Sequence, residues 1–182
     1  RGIAQQLGTL LPEDGLLFAG NSMPIRLLER FCRPEQGGIH IAANRGASGI
    51  DGNIATALGM AVGTGRATTA LLGDLTTLHD LNSLALHKTV ETPVVIVVLN
   101  NDGGGIFHYL PIARADEPCF EQCFGTPHGM DFSGAARQFG LDYAAPRSPD
   151  TFREAYLEAL ATGRATLIEI KTKRFEGQGN TV

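Results

Sequence analysis

The sequence predicts an α/β fold, a doubly wound and mainly parallel six-stranded sheet with helices on both faces. Three observations carry that expectation. Six short apolar runs alternate with helix-like segments. The run Val94 to Leu99 is dominated by β-branched residues, which marks a central strand buried on both faces. The unusual polar residues recur directly after the first four runs: Asn21 and Ser22, then Asn44 and Arg45, then Asp74, then Asn100 and Asn101. In an open α/β sheet the carboxyl edge of the strands is where ligands bind.

Composition bounds the function. A chain of 182 residues, 43% hydrophobic and 19% charged, is the size of one domain with a substantial core. We expect that domain over residues 1–175 and a disordered tail over 176–182. A net charge of -4 offers no footprint for nucleic acid or an anionic membrane. The longest apolar run is far too short to span a bilayer, and no signal-peptide pattern opens the chain, so a cytoplasmic protein is expected. Three cysteines fit reduced thiols better than a disulfide framework. Cys119, Cys123 and His128 could suggest zinc, but a fourth ligand is not apparent. The chain opens at Arg1 inside a helix-like pattern, as a piece of a longer polypeptide would.

In order, residues 1–10 read as a helix that Pro12 and Gly15 end before the first strand, Leu16 to Ala19. Pro24 suits the first turn of the next helix, with Ser22 as its N-cap and Arg26 about one turn inside. Ile39 to Ala43 is the second strand. It leads into the loop Asn44 to Gly52, whose glycines permit close backbone approach to a ligand. A small-residue helix follows from Asn53 to Val62, with Gly63-Thr64-Gly65 as its C-cap. Thr68 to Leu72 is the third strand, and Thr77 with Asp80 stands at capping-box spacing for a helix starting near Thr76. Val94 to Leu99 is the fourth strand. From His108 to Met130 the pattern is irregular, a long excursion or lid ordered by something other than its own core. A helix near Phe132 to Phe139, a strand at Leu141 to Ala144, a helix from Pro149 to Ala161 and a strand at Ala165 to Ile170 complete the alternation.

The chemistry concentrates between Gly73 and Phe107. Two neighbouring parallel strands would deliver Asp74 and Asn100-Asn101-Asp102-Gly103-Gly104-Gly105 to one edge. A carboxylate, a carboxamide oxygen and a backbone carbonyl are hard oxygen ligands, few enough to leave positions for phosphate oxygens and water. That favours Mg²⁺ held together with a phosphorylated ligand. Each residue alone has a plainer reading as a turn former; the shared position after strands carries the argument. Neither a P-loop nor an intact dinucleotide-binding glycine fingerprint is present.

Gly73-Asp74, twenty-odd residues and then Asn100-Asn101 resemble the diphosphate-binding motif of the thiamin-diphosphate-dependent enzymes. Leu75 departs from the usual second glycine of that motif. With Asn21-Ser22-x-x-x-Arg26, Asn44 to Gly52 and Asn100 to Phe107, the chain is similar to the C-terminal domain of one branch, the 2-succinyl-5-enolpyruvyl-6-hydroxy-3-cyclohexene-1-carboxylate synthases of menaquinone biosynthesis. The resemblance implies thiamin diphosphate as coenzyme, contacted by Ser22, Ile50, Asp74, Leu75, Thr76, Asn101 and Gly103. It implies Mg²⁺, or Mn²⁺, on Asp74, Asn101 and the Gly103 carbonyl. Ile50 matches the apolar wedge under the bent coenzyme.

It further implies a transferase that decarboxylates 2-oxoglutarate and adds the succinyl unit to isochorismate. Both substrates are polycarboxylic, which suits the planar guanidinium groups of Arg26 and Arg45; Ile106 and Phe107 match an apolar wall beside isochorismate. No catalytic residue is expected in this chain, because the family places the activating Glu in another domain, and the remaining domains and a second subunit of a homodimer or homotetramer would complete the site. His79, His87 and His108 are candidate acid-base groups, with structural or solvent roles favoured for the first two. Alternatives are another thiamin-diphosphate enzyme, such as an acetolactate synthase or 2-oxoacid decarboxylase, and a non-catalytic Mg-diphosphate binding module.

Overall fold

The computed structural model describes residues 1–114 and 118–174; the expected tail 176–182 lies outside them. The apolar runs form β1 (Leu16–Ala19), β2 (His40–Ala42), β3 (Thr68–Gly73), β4 (Val94–Asn100), β5 (Asp142–Ala144) and β6 (Thr166–Lys171), all paired parallel in the order β2-β1-β3-β4-β6-β5. The chain winds outward from β1 to β2, then returns to place β3 on the other side of β1. That reversal opens a crevice between the carboxyl ends of β1 and β3, the ligand position in open α/β sheets. β4 is interior, as its β-branched run requires.

Alternating side chains of the parallel strands feed two apolar layers, one on each face. On one face α1 (Gly2–Leu10), α2 (Met23–Phe31) and α6 (Pro149–Thr162) pack Leu7, Leu28, Phe152 and Tyr156 against Leu17, Leu71, Val95, Val97 and Ile168. On the other, α3 (Asn53–Thr64) and α5 (Ser133–Phe139) pack Ile54, Leu58 and Ala136 against Phe18, Ala70, Ile96, Val98 and Leu167. A buried hydrogen bond of 2.6 Å between the Thr69 and Tyr156 hydroxyls ties β3 to α6. Gly65, with φ 63°, closes α3 in the left-handed conformation that its C-cap role requires.

Two local expectations are corrected. The helix after β3 is α4 (Asp74–His79), beginning two residues before Thr76, and it has no capping box. The Thr77 hydroxyl donates back to the Gly73 carbonyl at 2.9 Å. The Asp80 carboxylate instead accepts the Ile54 and Ala55 amides at 2.7 and 2.9 Å, so it caps the start of α3 from across the fold. Ser22 occupies the N-cap position of α2, but at φ 70° its hydroxyl makes no cap hydrogen bond.

The excursion between β4 and α5 is held in short pieces. Two 3₁₀ turns, Gly105–Tyr109 and Pro111–Arg114, are followed by a π-turn at Glu121–Gly125. Phe120 and Phe124 stack, and Phe107 meets Phe124 edge-on. The segment is therefore ordered by contacts to the glycine run and to the end of β6 as well as by its own aromatics. No helix among the described residues is long and apolar enough to cross a membrane.

Candidate active site at the carboxyl ends of β3 and β4

The register Gly73↔Leu99 brings β3 and β4 to the same level at the sheet edge, so Asp74 and Asn101 emerge side by side. Asp74 is 2% exposed, and its burial is matched by N–H donors. Its Oδ1 accepts the Leu75 amide at 2.7 Å; its Oδ2 accepts the amides of Asn101 at 3.1 Å and Gly103 at 2.9 Å. His128 Nε2 stands 3.2 Å from the same Oδ2. The Met130 amide donates to His128 Nδ1 at 3.0 Å, so the ring proton lies on Nε2 and points at Asp74.

The Asn101 carboxamide end lies 3.1 Å from Asp74 Oδ2 and 2.8 Å from the Gly103 carbonyl oxygen. With nitrogen inward it donates to both. With oxygen inward, the carboxamide oxygen stands at those two distances from two further hard oxygens, close to the roughly 3 Å edge expected for octahedral Mg²⁺. The donor set therefore fits a small divalent cation with open positions for phosphate and water. Among the described residues no three His, Cys, Asp or Glu side chains gather to hold a metal, and His128 turns to Asp74. Cys119 and Cys123 sit exposed on or beside the π-turn.

Asn100 builds the turn that carries these donors. Its Oδ1 accepts the Asp102 amide at 3.0 Å, while its Nδ2 donates to the Met130 carbonyl at 2.9 Å and to Glu169 Oε1 at 2.7 Å. Asp102 follows at φ 61° and Gly103 at φ 127°. A side chain on Gly103 would be strained and would strike the Gly125 carbonyl, and one on Gly104 would strike that of Phe124. The glycine run is thus required for the close approach of the excursion. The amides of Gly129 and His128 hold the Asp102 carboxyl below the usual carboxylate range, against the opposing effect of burial. Arg174 reaches both Asp102, at 3.5 Å, and Glu121.

A cleft of about 1120 Å³ opens over this edge. It is lined by every residue expected to touch the coenzyme (Ser22, Ile50, Asp74, Leu75, Thr76, Asn101 and Gly103) and by the apolar pair Ile106 and Phe107. Arg26 and Arg45 are not among the lining residues. Arg26 is exposed and donates to the Ser22 carbonyl at 2.5 Å; Arg45 is exposed and donates to Asn21 Oδ1 at 2.8 Å, while Asn21 Nδ2 reaches the Gly49 carbonyl at 2.6 Å. The two arginines therefore stand outside the cleft wall, one on α2 and one in the loop after β2.

Sequence reasoning missed three features. In the sequence His128 stands out only as a possible partner for cysteines, and its Thr-Pro-His-Gly setting carries no periodic signal. Glu169 is fully buried in β6, accepting Asn100 Nδ2, the Phe132 amide at 3.0 Å and the Tyr143 hydroxyl at 2.6 Å. A lone acidic residue within the apolar run Leu167 to Ile170 was the available signal. Arg147, Lys171, Lys173 and Arg174 also line the cleft, whose single acidic lining residue among the described residues is Asp74. That imbalance favours anionic ligands. The histidines weighed as acid-base groups lie elsewhere: His79 is exposed at the end of α4, His87 meets the Phe139 carbonyl at 2.9 Å, and His108 meets Glu121 at 3.2 Å.

The profile described as thiamine pyrophosphate enzyme, C-terminal TPP binding domain, matches residues 26–170. A 2-succinyl-5-enolpyruvyl-6-hydroxy-3-cyclohexene-1-carboxylate synthase from Rubrobacter xylanophilus is 53% identical over 96% of this chain and 30% of its own length. One from Roseiflexus sp. is 52% identical over 90% of this chain and 28% of its own. The chain thus spans less than a third of these relatives. Among solved structures, benzoylformate decarboxylase from Polynucleobacter necessarius superposes with a TM-score of 0.75 at 19% identity, covering 96% of this chain and 33% of that one. The Rhodococcus jostii 4-hydroxybenzoylformate decarboxylase gives 0.76 at 24% identity, covering 96% and 32%. At those identities the likeness speaks for the fold alone. With the profile running from α2 to β6, the chain belongs to the thiamine pyrophosphate enzymes, as their C-terminal TPP binding domain.

Proposed function

We propose that this chain is the diphosphate- and Mg²⁺-binding domain of a transferase that decarboxylates 2-oxoglutarate and adds the succinyl unit to isochorismate. The observation that carries the metal and coenzyme reading is the meeting of Asp74, the Asn101 carboxamide and the Gly103 carbonyl at the mouth of the cleft. The reading of the specific reaction rests on relatives about 50% identical that bear the synthase name.

Thiamin diphosphate, when bound, supplies the nucleophilic carbon that takes up the 2-oxo acid and lets CO₂ leave. The residues of this chain bind and orient. Asp74, Asn101 and Gly103 would hold the metal, and with it the diphosphate, at the edge of β3 and β4. Ile50, Ile106 and Phe107 would give the cleft an apolar wall that excludes water from the reacting groups. Lys171, Lys173 and Arg147 lend the cleft the positive potential that anionic substrates need. Arg26 and Arg45 would recognise substrate carboxylates, Arg45 from a position fixed by Asn21. Proton transfer to the coenzyme is left to a carboxylic acid from another domain.

The test is product identification. The full-length polypeptide is incubated with thiamin diphosphate, Mg²⁺, 2-oxoglutarate and isochorismate, and the product is identified by mass spectrometry. Formation of the succinylated cyclohexene carboxylate supports the reading. Decarboxylation of other 2-oxo acids without use of isochorismate would move the chain to another thiamin-diphosphate enzyme.

A further inference from the structure

We propose that His128 is a positioning residue for the cation-binding carboxylate, holding Asp74 through its Nε2–H. The inference rests on the metal site proposed above and assigns a role to a residue outside the motif that defines that site. His128 is fixed from three directions. Its backbone amide donates to Asp102 Oδ1 at 2.9 Å, its Nδ1 accepts the Met130 amide at 3.0 Å, and its Nε2 faces Asp74 Oδ2 at 3.2 Å. Its side chain is 7% exposed and that of Asp74 3%, so water competes little for the contact.

The supports of the ring are themselves supported. Asp102 also accepts the Gly129 amide at 2.7 Å and is reached by Arg174. Asn100 holds the Met130 carbonyl at 2.9 Å. The segment 128–130 is thereby fastened to the turn that carries Asn101 and Gly103, and the imidazole is delivered to Asp74 as a pre-oriented donor. The carboxylate cannot rotate freely: Leu75 holds one oxygen, and Asn101, Gly103 and His128 hold the other. Hydrogen-bond partners of ligating side chains set their orientation, and their loss typically costs 10- to 100-fold in metal affinity. The His128 ring reaches Asp74 from 54 residues away in sequence, so the contact fastens the end of the excursion to the site.

The experiment measures Mg²⁺-dependent thiamin diphosphate binding by calorimetry in the full-length protein, for wild type, His128→Leu and His128→Gln. We expect His128→Leu to bind about 10- to 100-fold more weakly, while keeping a cooperative unfolding transition when no ligand is added. His128→Gln, which can place an N–H near the same point, should recover part of the loss. Binding by His128→Leu that equals or exceeds wild type overturns the inference while leaving the metal site standing. A wild-type protein that shows no Mg²⁺-dependent coenzyme binding removes the site, and the inference with it. Should His128→Leu fail to fold, hydrogen exchange in the unsubstituted protein decides. Segment 126–130 should stay protected, or become more so, when coenzyme and Mg²⁺ are added; deprotection would show that the metal displaces His128 and would overturn the inference.

Discussion

Asn100 and Glu169, on adjacent parallel strands, share a buried hydrogen bond of 2.7 Å at the edge where the cleft begins. Neither residue lines the cleft, yet together they hold its floor. Glu169 is 0% exposed and Asn100 6%. The other carboxylate oxygen takes the Phe132 amide and the Tyr143 hydroxyl, so one buried charge joins the end of β4 to β5 and to the start of α5. The first asparagine of the pair is thus a structural hub, while the second presents its carboxamide to Asp74.

Replacing Glu169 by Ala should therefore destabilise the protein by at least about 3 kcal/mol, since buried donors on Asn100 and Phe132 lose a charged acceptor. The Tyr143 hydroxyl is near the surface and can turn to water, so it adds little. Glu169→Gln should cost less. Denaturant unfolding checks both, and an alanine variant within about 0.5 kcal/mol of wild type would show that the network relaxes without loss.

Asp74→Ala should abolish Mg²⁺-dependent thiamin diphosphate binding, because Asp74 is the single acidic side chain lining the cleft among the described residues. It also leaves four N–H groups without their acceptor, those of Leu75, Asn101, Gly103 and His128. Asp74→Asn is the gentler comparison, keeping an acceptor oxygen while removing the charge. Calorimetry should show binding lost in the first variant and strongly weakened in the second.

Arg45→Ala and Arg26→Ala should raise KM for the acids while leaving coenzyme binding nearly intact. Both arginines are exposed in this chain, so the cost of about 2 kcal/mol in kcat/KM holds for a carboxylate that the assembled site buries against them. Arg→Lys should restore only part, since an ammonium lacks the planar fork. Steady-state kinetics with each acid varied in turn makes the check. Wild-type constants for either alanine variant would return that arginine to the solvated surface it occupies in this chain.

The parts of this fold legible in sequence were those with a local cause. Val94 to Leu99 announced a central strand by β-branching, and Gly65 announced a helix end by its need for positive φ. The residues lining the cleft at Asp74, Asn101 and Gly103 were legible because each follows a strand. What escaped was set by tertiary contact. Asp80 stands at capping-box spacing from Thr77, yet it is drawn 26 residues back to Ile54, where two amides outcompete one. His128 lies 54 residues from Asp74 in a segment with no period, so nothing local could link them. Arg147 and Lys173 look like ordinary surface charges until the ends of two connections are seen to share one cleft.

Alkaline stability should report on Tyr156. Burial pushes its hydroxyl up to about 12 from the ordinary 10, opposed by the Thr69 hydrogen bond. A raised folded value means the native state keeps its proton where the unfolded chain has lost one. Its contribution is present in full below pH 10 and falls by about 1.4 kcal/mol per pH unit between 10 and 12. Tyr143, also raised by burial and by Glu169, acts in the same direction. Urea unfolding from pH 9 to 11.5 should show the decline, and Tyr156→Phe should make it shallower. An unchanged slope in that variant would place the loss elsewhere.

The last expectation is that residues 1–182 by themselves fold but do not turn over substrate. Folding follows from a complete alternation of strands and helices, with an apolar layer on each face of the sheet and a buried hydroxyl pair joining β3 to α6. Inertness follows from the proton chemistry: the coenzyme must be activated by a carboxylic acid beside its aminopyrimidine, and among the described residues this cleft offers only Asp74. That carboxylate is held by four N–H groups and is assigned to the metal. Glu121 is exposed and engaged by Arg174, Glu91 lies exposed before β4 at the opposite edge of the sheet, and Glu169 is sealed beneath the floor. None of the three lines the cleft. The purified 182-residue chain should therefore give a cooperative unfolding transition by circular dichroism, yet leave isochorismate at the level of a no-protein control when thiamin diphosphate, Mg²⁺ and 2-oxoglutarate are added. Sustained turnover would require an acid within these residues, and Asp74→Asn would then be the first variant to assay.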